Sequence, residues 1–212
     1  MSYMIGVDVG GTFTDFSFFN IETGALRHYK RSSTPEDPSK AIMGGIQEIL
    51  SEQSIDTGEI TYLAHGTTVA TNALIEKKGA RMGLITTEGF KDLMEIGWQR
   101  RPSLYDLRRP KPEQLIPPGM NQEVKERILH DGSILTPLDE DSVRNAVRFL
   151  KEMGAETIAV CTLFSFINPV HEDRIKEIIE EEYPGVYVSA SHDLVAEFRE
   201  YSRMSTTILN AY

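Results

Sequence analysis

With 212 residues, 40% of them apolar and 25% charged, the chain can bury a real core as one large or two small domains of a soluble protein. Its net charge of −10 argues against nucleic acid or an anionic membrane as the main partner, so a phosphate ligand would need local backbone donors, cations or a metal. No run is long and apolar enough to span a bilayer, no signal peptide opens the chain, and the single cysteine, Cys161, excludes an internal disulfide; a reducing cytoplasm is the expected setting.

The first element is Met4 to Asp15, M-I-G-V-D-V-G-G-T-F-T-D. Met4, Ile5, Val7 and Val9 make the short apolar run of a buried strand, which Asp8 interrupts. Gly10 and Gly11 follow, predicting a turn with positive φ that brings bare N–H groups close to a ligand, and Thr12 and Thr14 add hydroxyls. Gly6-x4-Gly11 mimics the start of a P-loop, but Thr12 stands where Lys is required and Phe13 where Ser or Thr is. The glycines are also wrongly spaced for a dinucleotide fingerprint. Phe13 to Phe19 is aromatic and β-prone, so the turn leads into a second strand. The pattern is a phosphate-type loop in a β-hairpin, with an idle Asp in a tight hairpin as the alternative.

Asn20 to Gly24 reads as a turn and Ala25 to Arg31 as a third strand. Thr34-Pro35-Glu36-Asp37-Pro38 is a helix start, with Asp37 as N-cap and Ile42, Ile46, Ile49 and Leu50 on one face. Gly44 and Gly45 weaken that helix by about 1 kcal/mol each relative to Ala, which fits close packing on the sheet. Ile60 to Ala64 is the next strand and runs into His65-Gly66-Thr67-Thr68. Val69, Ala73 and Leu74 then have helical spacing, with Lys77, Lys78 and Gly79 at the end. Strand, glycine turn and helix N-terminus in that order aim free N–H groups and a positive dipole end above the sheet. Thr67 or Thr68 as a plain N-cap, and His65 as a hydrogen-bonded strand end, remain the simpler reading.

Met82 to Thr86 is another strand, and Phe90, Leu93 and Met94 begin a short helix. From Trp98 to Met120 the chain turns proline-rich, and Arg100, Arg101, Arg108, Arg109 and Lys111 gather there. So long a stretch without regular structure reads as a functional flap, a solvated surface or a subunit contact. Glu123 to Leu129 and Ile134-Leu135 flank a turn at His130 to Ser133. Asp139 caps a helix with Val143, Val147, Leu150 and Met153 on its apolar face, ended by Gly154. Thr157 to Phe164 is a buried strand in which Cys161 is core. Asn168-Pro169 starts a helix that stops at Tyr183-Pro184-Gly185, Val186 to Ala190 is the last strand, and Phe198 to Tyr212 is helical. The apolar surface from Met204 to Tyr212 is expected to lack a partner, as at the end of the first part of a longer polypeptide. Strands alternating with helices make an α/β protein with a largely parallel sheet.

In order along the chain, Ile5-Gly-Val-Asp-Val-Gly-Gly-Thr-Phe-Thr-Asp15, His65-Gly-Thr-Thr-Val-Ala-Thr-Asn-Ala-Leu74, Arg101-Pro-Ser-Leu-Tyr-Asp-Leu107, Leu163-Phe-Ser-Phe-Ile-Asn-Pro169, Glu197-Phe-Arg-Glu-Tyr201 and Ser205 to Tyr212 resemble the N-terminal region of the hydantoinase A/5-oxoprolinase family. Members of that family are ATP-dependent ring-opening amidohydrolases of hydantoins or 5-oxoproline, including N-methylhydantoinases, or ATP-dependent carboxylases of acetone and acetophenone. The resemblance implies half of the actin/Hsp70/sugar-kinase (ribonuclease H-like) ATPase fold, with an added smaller α/β unit. The expected divisions are 1–95 with the hairpin, 96–122 as the proline- and arginine-rich loop, and 123–212.

It also implies a clamp for ATP and Mg²⁺, with Asp8-Val-Gly10-Gly-Thr12 as its first phosphate loop. Asp8 would act through the metal or on a water, since like charges keep it off the phosphate. Gly10, Gly11, Thr12 and Thr14 would cradle phosphate, and Gly66, Thr67, Thr68 and Asn72 would lie near the cleft with His65 as a second catalytic side chain. The implied partners are a cyclic-amide substrate, the C-terminal remainder of the polypeptide and a hydantoinase B-type subunit. The chain alone is expected to be inactive, and a non-catalytic ATP clamp is the alternative in another class.

Overall fold

Alternation of apolar and polar residues builds the first strand pair, β1 (Tyr3–Val9) and β2 (Phe13–Asn20). The computed structural model describes residues 2–34, 36–100, 103, 105–106 and 108–212. Pro35, and Arg101, Pro102, Leu104 and Leu107 of the R-P-S-L-Y-D-L segment, lie outside the described residues. β1 and β2 are antiparallel, with Val7 opposite Phe16, Asp8 opposite Asp15 and Val9 opposite Thr14. β3 (Leu26–Ser32) adds antiparallel to β2, and β4 (Ile60–Thr67) adds parallel to β1, giving the order β3-β2-β1-β4. Ile5, Val7, Val9, Phe16 and Phe18 form one apolar face. It is covered by Ile46, Ile49 and Leu50 of α1 (Pro38–Gln53).

Helix α1 begins as its sequence requires. The Asp37 carboxylate accepts from the Ser39 N–H and Pro38 occupies the first turn. A Cβ at Gly45 would fall 2.2 Å from Phe16 Cζ, so this glycine permits the close approach of helix to sheet. The other edge is bare: β4 leaves all but its first residue exposed, and α2 (Val69–Glu76), which follows it, buries none of its residues.

The second sheet is parallel throughout, in the order β10-β9-β5-β6, from β5 (Met82–Thr87), β6 (Asn121–Val124), β9 (Thr157–Cys161) and β10 (Tyr187–Ala190). Between them come α3 (Leu93–Ile96), the hairpin β7 (Arg127–Ile128) and β8 (Ile134–Thr136), α4 (Glu140–Glu152), α5 (Val170–Glu182), α6 (Ser191–Leu194) and α7 (Glu200–Ala211). All six residues of β5 and all five of β9 are buried, as continuous apolar runs in a parallel sheet should be. Burial also pushes the Cys161 thiol up to about 12, which makes it core and not nucleophile.

Two expectations change here. The chain divides into compact units at Lys78–Gly79, not near residue 95, because β5 pairs with β9 and β6 and so belongs to the second unit. The C-terminal helix is not unpartnered either. Met204, Ile208 and Ala211 of α7 are buried in the core of the second unit, and a Cβ at Gly79 would lie 2.4 Å from the Tyr212 ring.

Candidate functional site

Asp8 is the last polar residue of β1 and stands exposed between buried Val7 and Val9, on the face of the sheet that α1 does not cover. Asp15 is directly opposite and pairs with Lys30 at 3.2 Å, which leaves Asp8 as the less committed carboxylate of the two. Gly11 and Thr12 are exposed at the turn.

The glycines serve space, and not the positive φ expected of them. Neither Gly10 nor Gly11 is among the glycines with positive φ. A Cβ at Gly10 would lie 2.9 Å from the Phe13 carbonyl, and one at Gly11 would lie 3.1 Å from Asn72 Nδ2. The Gly10 N–H already donates to Phe13 O at 3.0 Å, closing the turn, so it is not a free donor for a ligand. Thr14 is fully buried and its hydroxyl meets Ser33 Oγ at 3.0 Å. Because the Ser33 hydroxyl donates to Gly10 O at 2.7 Å, Thr14 must be the donor in its pair, and neither hydroxyl reaches a ligand. The Ser33 N–H donates to Thr12 O at 2.9 Å. Ser33, which sequence reading passed over, thus ties the glycine turn to the end of β3.

The turn between β4 and α2 meets the first turn at the end of β1. The Thr68 N–H donates to Val9 O at 3.1 Å, and its hydroxyl reaches the same carbonyl at 3.4 Å. Asn72 Nδ2 donates to Thr68 Oγ1 at 3.4 Å, and Thr67 Oγ1 accepts from the Val69 N–H at 3.2 Å in a local threonine turn, while Thr68, the N-cap of α2, makes no side-chain capping bond. Gly66 has open space around it. Gly11, Thr68 and Asn72 are therefore neighbours where the two turns meet, with Gly66 and Thr67 beside Asp8 and Val9 in the strand register. His65 is not placed with Asp8. It lies beside Val7 in the parallel register, while Asp8 lies beside Gly66, so the two side chains leave opposite faces of the sheet.

The family of the hydantoinase/oxoprolinase N-terminal region matches residues 4–183. The chain belongs to this family. It is 37% identical to the caprolactamase subunit alpha of Pseudomonas jessenii, over 99% of this chain and 31% of that protein. It is also 37% identical to the acetophenone carboxylase gamma subunit of Aromatoleum aromaticum, over 98% of this chain and 30% of that protein. The crystal structure of the ATP-dependent caprolactamase from Pseudomonas jessenii superposes with a TM-score of 0.85 at 36% identity, covering 99% of this chain and 31% of that one. The mixed and parallel sheets of this hydantoinase/oxoprolinase region thus match an α/β fold already seen. The chain spans about a third of the length of the relatives it matches.

The second unit holds a buried polar network at the carboxyl ends of its strands. The chain leaves β5 toward β6 and β9 toward β10, so these neighbours mark the kind of switch point where parallel sheets bind ligands. Here the space is taken by side chains that satisfy one another. Glu172 accepts from the Thr162 N–H at 2.8 Å, Ser191 Oγ at 2.7 Å and His192 Nδ1 at 2.7 Å. The fully buried Arg203 donates to Thr162 O at 2.6 Å, Ser191 Oγ at 3.1 Å and Glu197 O at 3.1 Å. Glu126 joins His171 and Thr87. Much of Leu163–Pro169, Glu197–Tyr201 and Ser205–Tyr212 gathers around this network and the core beneath it, so these family segments read as framework.

Proposed function

We propose that this chain is the nucleotide-holding N-terminal region of an ATP-dependent cyclic-amide hydrolase of the hydantoinase or 5-oxoprolinase type. The observation that carries the reading is the joining of two Gly-Thr turns, residues 10–12 and 66–68, through the Val9 carbonyl and the contact of Gly11 with Asn72. Both turns are built of small residues, and among the described residues the N–H groups of Gly11 and Thr12 donate to no protein group, which suits a polyphosphate.

The residues present fit ATP with Mg²⁺. Among the described residues no group of three or more His, Cys, Asp or Glu could hold a metal ion by itself. Mg²⁺ is usually held by one or two carboxylates together with substrate phosphates, and the exposed Asp8 beside open backbone supplies that half of a site. ATP supplies the phosphoryl group that turns an inert ring carbonyl into a better electrophile. In this reading Asp8 positions the ion or a water, the N–H groups of Gly11 and Thr12 face phosphate oxygens, and Thr67, Thr68 and Asn72 form the opposite wall. Gly10 and Thr14 act as supports, and His65 takes no part beside Asp8.

The bare edge of β4 and the uncovered α2 suit contact with the remainder of such a polypeptide, and a hydantoinase B-type subunit is the second partner. A carboxylase of the acetone or acetophenone type is the second reading, favoured by an identity to the acetophenone carboxylase subunit equal to that for caprolactamase. The test is ATP turnover by the longest polypeptide carrying this chain, with its hydantoinase B-type subunit, against caprolactam, 5-oxoproline and hydantoin. Stimulation by one of these, lost in Asp8→Asn, supports the hydrolase. Turnover only with acetone or acetophenone and bicarbonate moves the assignment to the carboxylases, and full activity of Asp8→Asn overturns the role of Asp8.

A further inference from the structure

In the second unit, α3, residues 97–100 and 111–116, and α7 line a groove of about 340 Å³, within the range of small-molecule sites. Its lining includes Trp98, Leu115, Ile116, Ile208 and Leu209, all apolar. Trp98 is half exposed, and its ring is held on two sides. The Arg199 guanidinium lies over it at 5.6 Å and Tyr201 meets it edge-on at 5.4 Å. The backbone on both flanks is strained: Gln99 has φ 57° and Arg199 has φ 87°, in the region that favours glycine. Strain of this sort at non-glycine residues is concentrated at ligand sites, where it fixes a side chain in place.

The rim is charged. Lys111 is engaged by Glu95, through the carboxylate at 3.6 Å and the backbone carbonyl at 3.1 Å. Glu113 is likewise engaged. Arg100, which also lines the groove, makes no ion pair among the described residues. An unpaired guanidinium at the mouth of an apolar groove, in a chain of net charge −10, asks for a planar two-oxygen anion on a hydrophobic body. A phosphate dianion would find one free cation with two carboxylates near it, a poor match.

We propose that this groove binds a small organic carboxylate, with its apolar body against Trp98 and Leu209 and its carboxylate on Arg100. The site lies wholly within the second unit and does not rest on the nucleotide reading.

Trp98 is the only tryptophan of these 212 residues, so the part of the emission change that Trp98→Phe removes reports the groove. The experiment titrates the protein with hexanoate, and with 1-hexanol as the neutral probe of equal length. Expected is a saturable change in emission with hexanoate, about tenfold weaker binding of hexanol, and the same roughly tenfold loss for hexanoate in Arg100→Gln. Arg100 is exposed on a loop, so that variant keeps the fold. Leu209→Glu, at a half-exposed position of α7, is expected to abolish the hexanoate response by placing a carboxylate on the apolar floor. No saturable response, equal affinity for the two probes, or a response that survives either variant overturns the proposal.

Discussion

Gly11 and Asn72 are in contact across the two turns: a Cβ at Gly11 would lie 3.1 Å from the Asn72 side-chain nitrogen. Gly11 does not have positive φ, so alanine there is resisted by the neighbour and not by the backbone. On the nucleotide reading proposed above, Gly11→Ala is expected to push the amide off Thr68 and to weaken ATP binding by about tenfold, roughly 1.4 kcal/mol, with little change in stability. Asn72→Ala removes the obstacle, so the double variant should bind better than the two single losses added together. Calorimetric titration of the four proteins with ATP checks this, and strict additivity would mean that the contact does not set the spacing of the turns.

The order of elements was legible because each carries its own local signal. The Asp37-Pro38 start of α1, the Asp139 cap of α4 and the apolar runs of β5 and β9 all hold in the structure. The two motif turns meet at the end of β1, through the bond from the Thr68 N–H to Val9 O. What sequence could not give is the side of the sheet a residue faces, since the parallel register of β4 on β1 separates His65 from Asp8. Nor could it show that Thr14 points into the core, or that the lone Ser33 holds the glycine turn, because both facts depend on contacts 19 or more residues apart. The expectation for α7 fails for a related reason. Its apolar face meets β9 and β10, and no local signal announces that pairing.

Ser33→Ala removes the donor to Gly10 O and the acceptor for the buried Thr14 hydroxyl. A buried hydroxyl left without a partner costs about 1–3 kcal/mol. Thermal unfolding should show that loss. Combining Ser33→Ala with Thr14→Val removes both partners and is expected to recover part of it, and a double variant less stable than Ser33→Ala alone would exclude this account.

Gly45→Ala places a methyl group where the Phe16 ring now lies, 2.2 Å from Cζ. Phe16 is buried and cannot swing into solvent without leaving the core. Overpacking of this kind is expected to destabilise by about 1–3 kcal/mol, read as a lower urea midpoint. Phe16→Leu introduced together with Gly45→Ala makes room and should cost less than the sum of the single changes.

The Glu172–His192 pair gives stability a defined pH window. Burial of Glu172 would raise its carboxyl, but hydrogen bonds from His192, the Thr162 N–H and Ser191 outweigh it and hold the group below its ordinary 4.5. His192 is held above its ordinary 6.5, first by its hydrogen bond to Glu172, against desolvation, and also by the charges of Asp193 and Asp173. Its Nε2 lies 3.1 Å from Asp173 and 3.2 Å from Asp193, and Lys176 pairs with Asp193 at 2.5 Å. A depressed carboxyl stabilises the fold above its unfolded value, and that contribution is lost as pH falls through the folded value. A raised imidazole stabilises below its unfolded value, and that contribution is lost as pH rises through the folded one. Both contributions are therefore complete between 4.5 and 6.5. The thermal midpoint should be highest in that interval and decline toward alkaline pH as His192 loses its proton. His192→Gln is expected to lower the midpoint within the window and to flatten the alkaline decline. An alkaline limb of unchanged slope in that variant would assign the decline to another group.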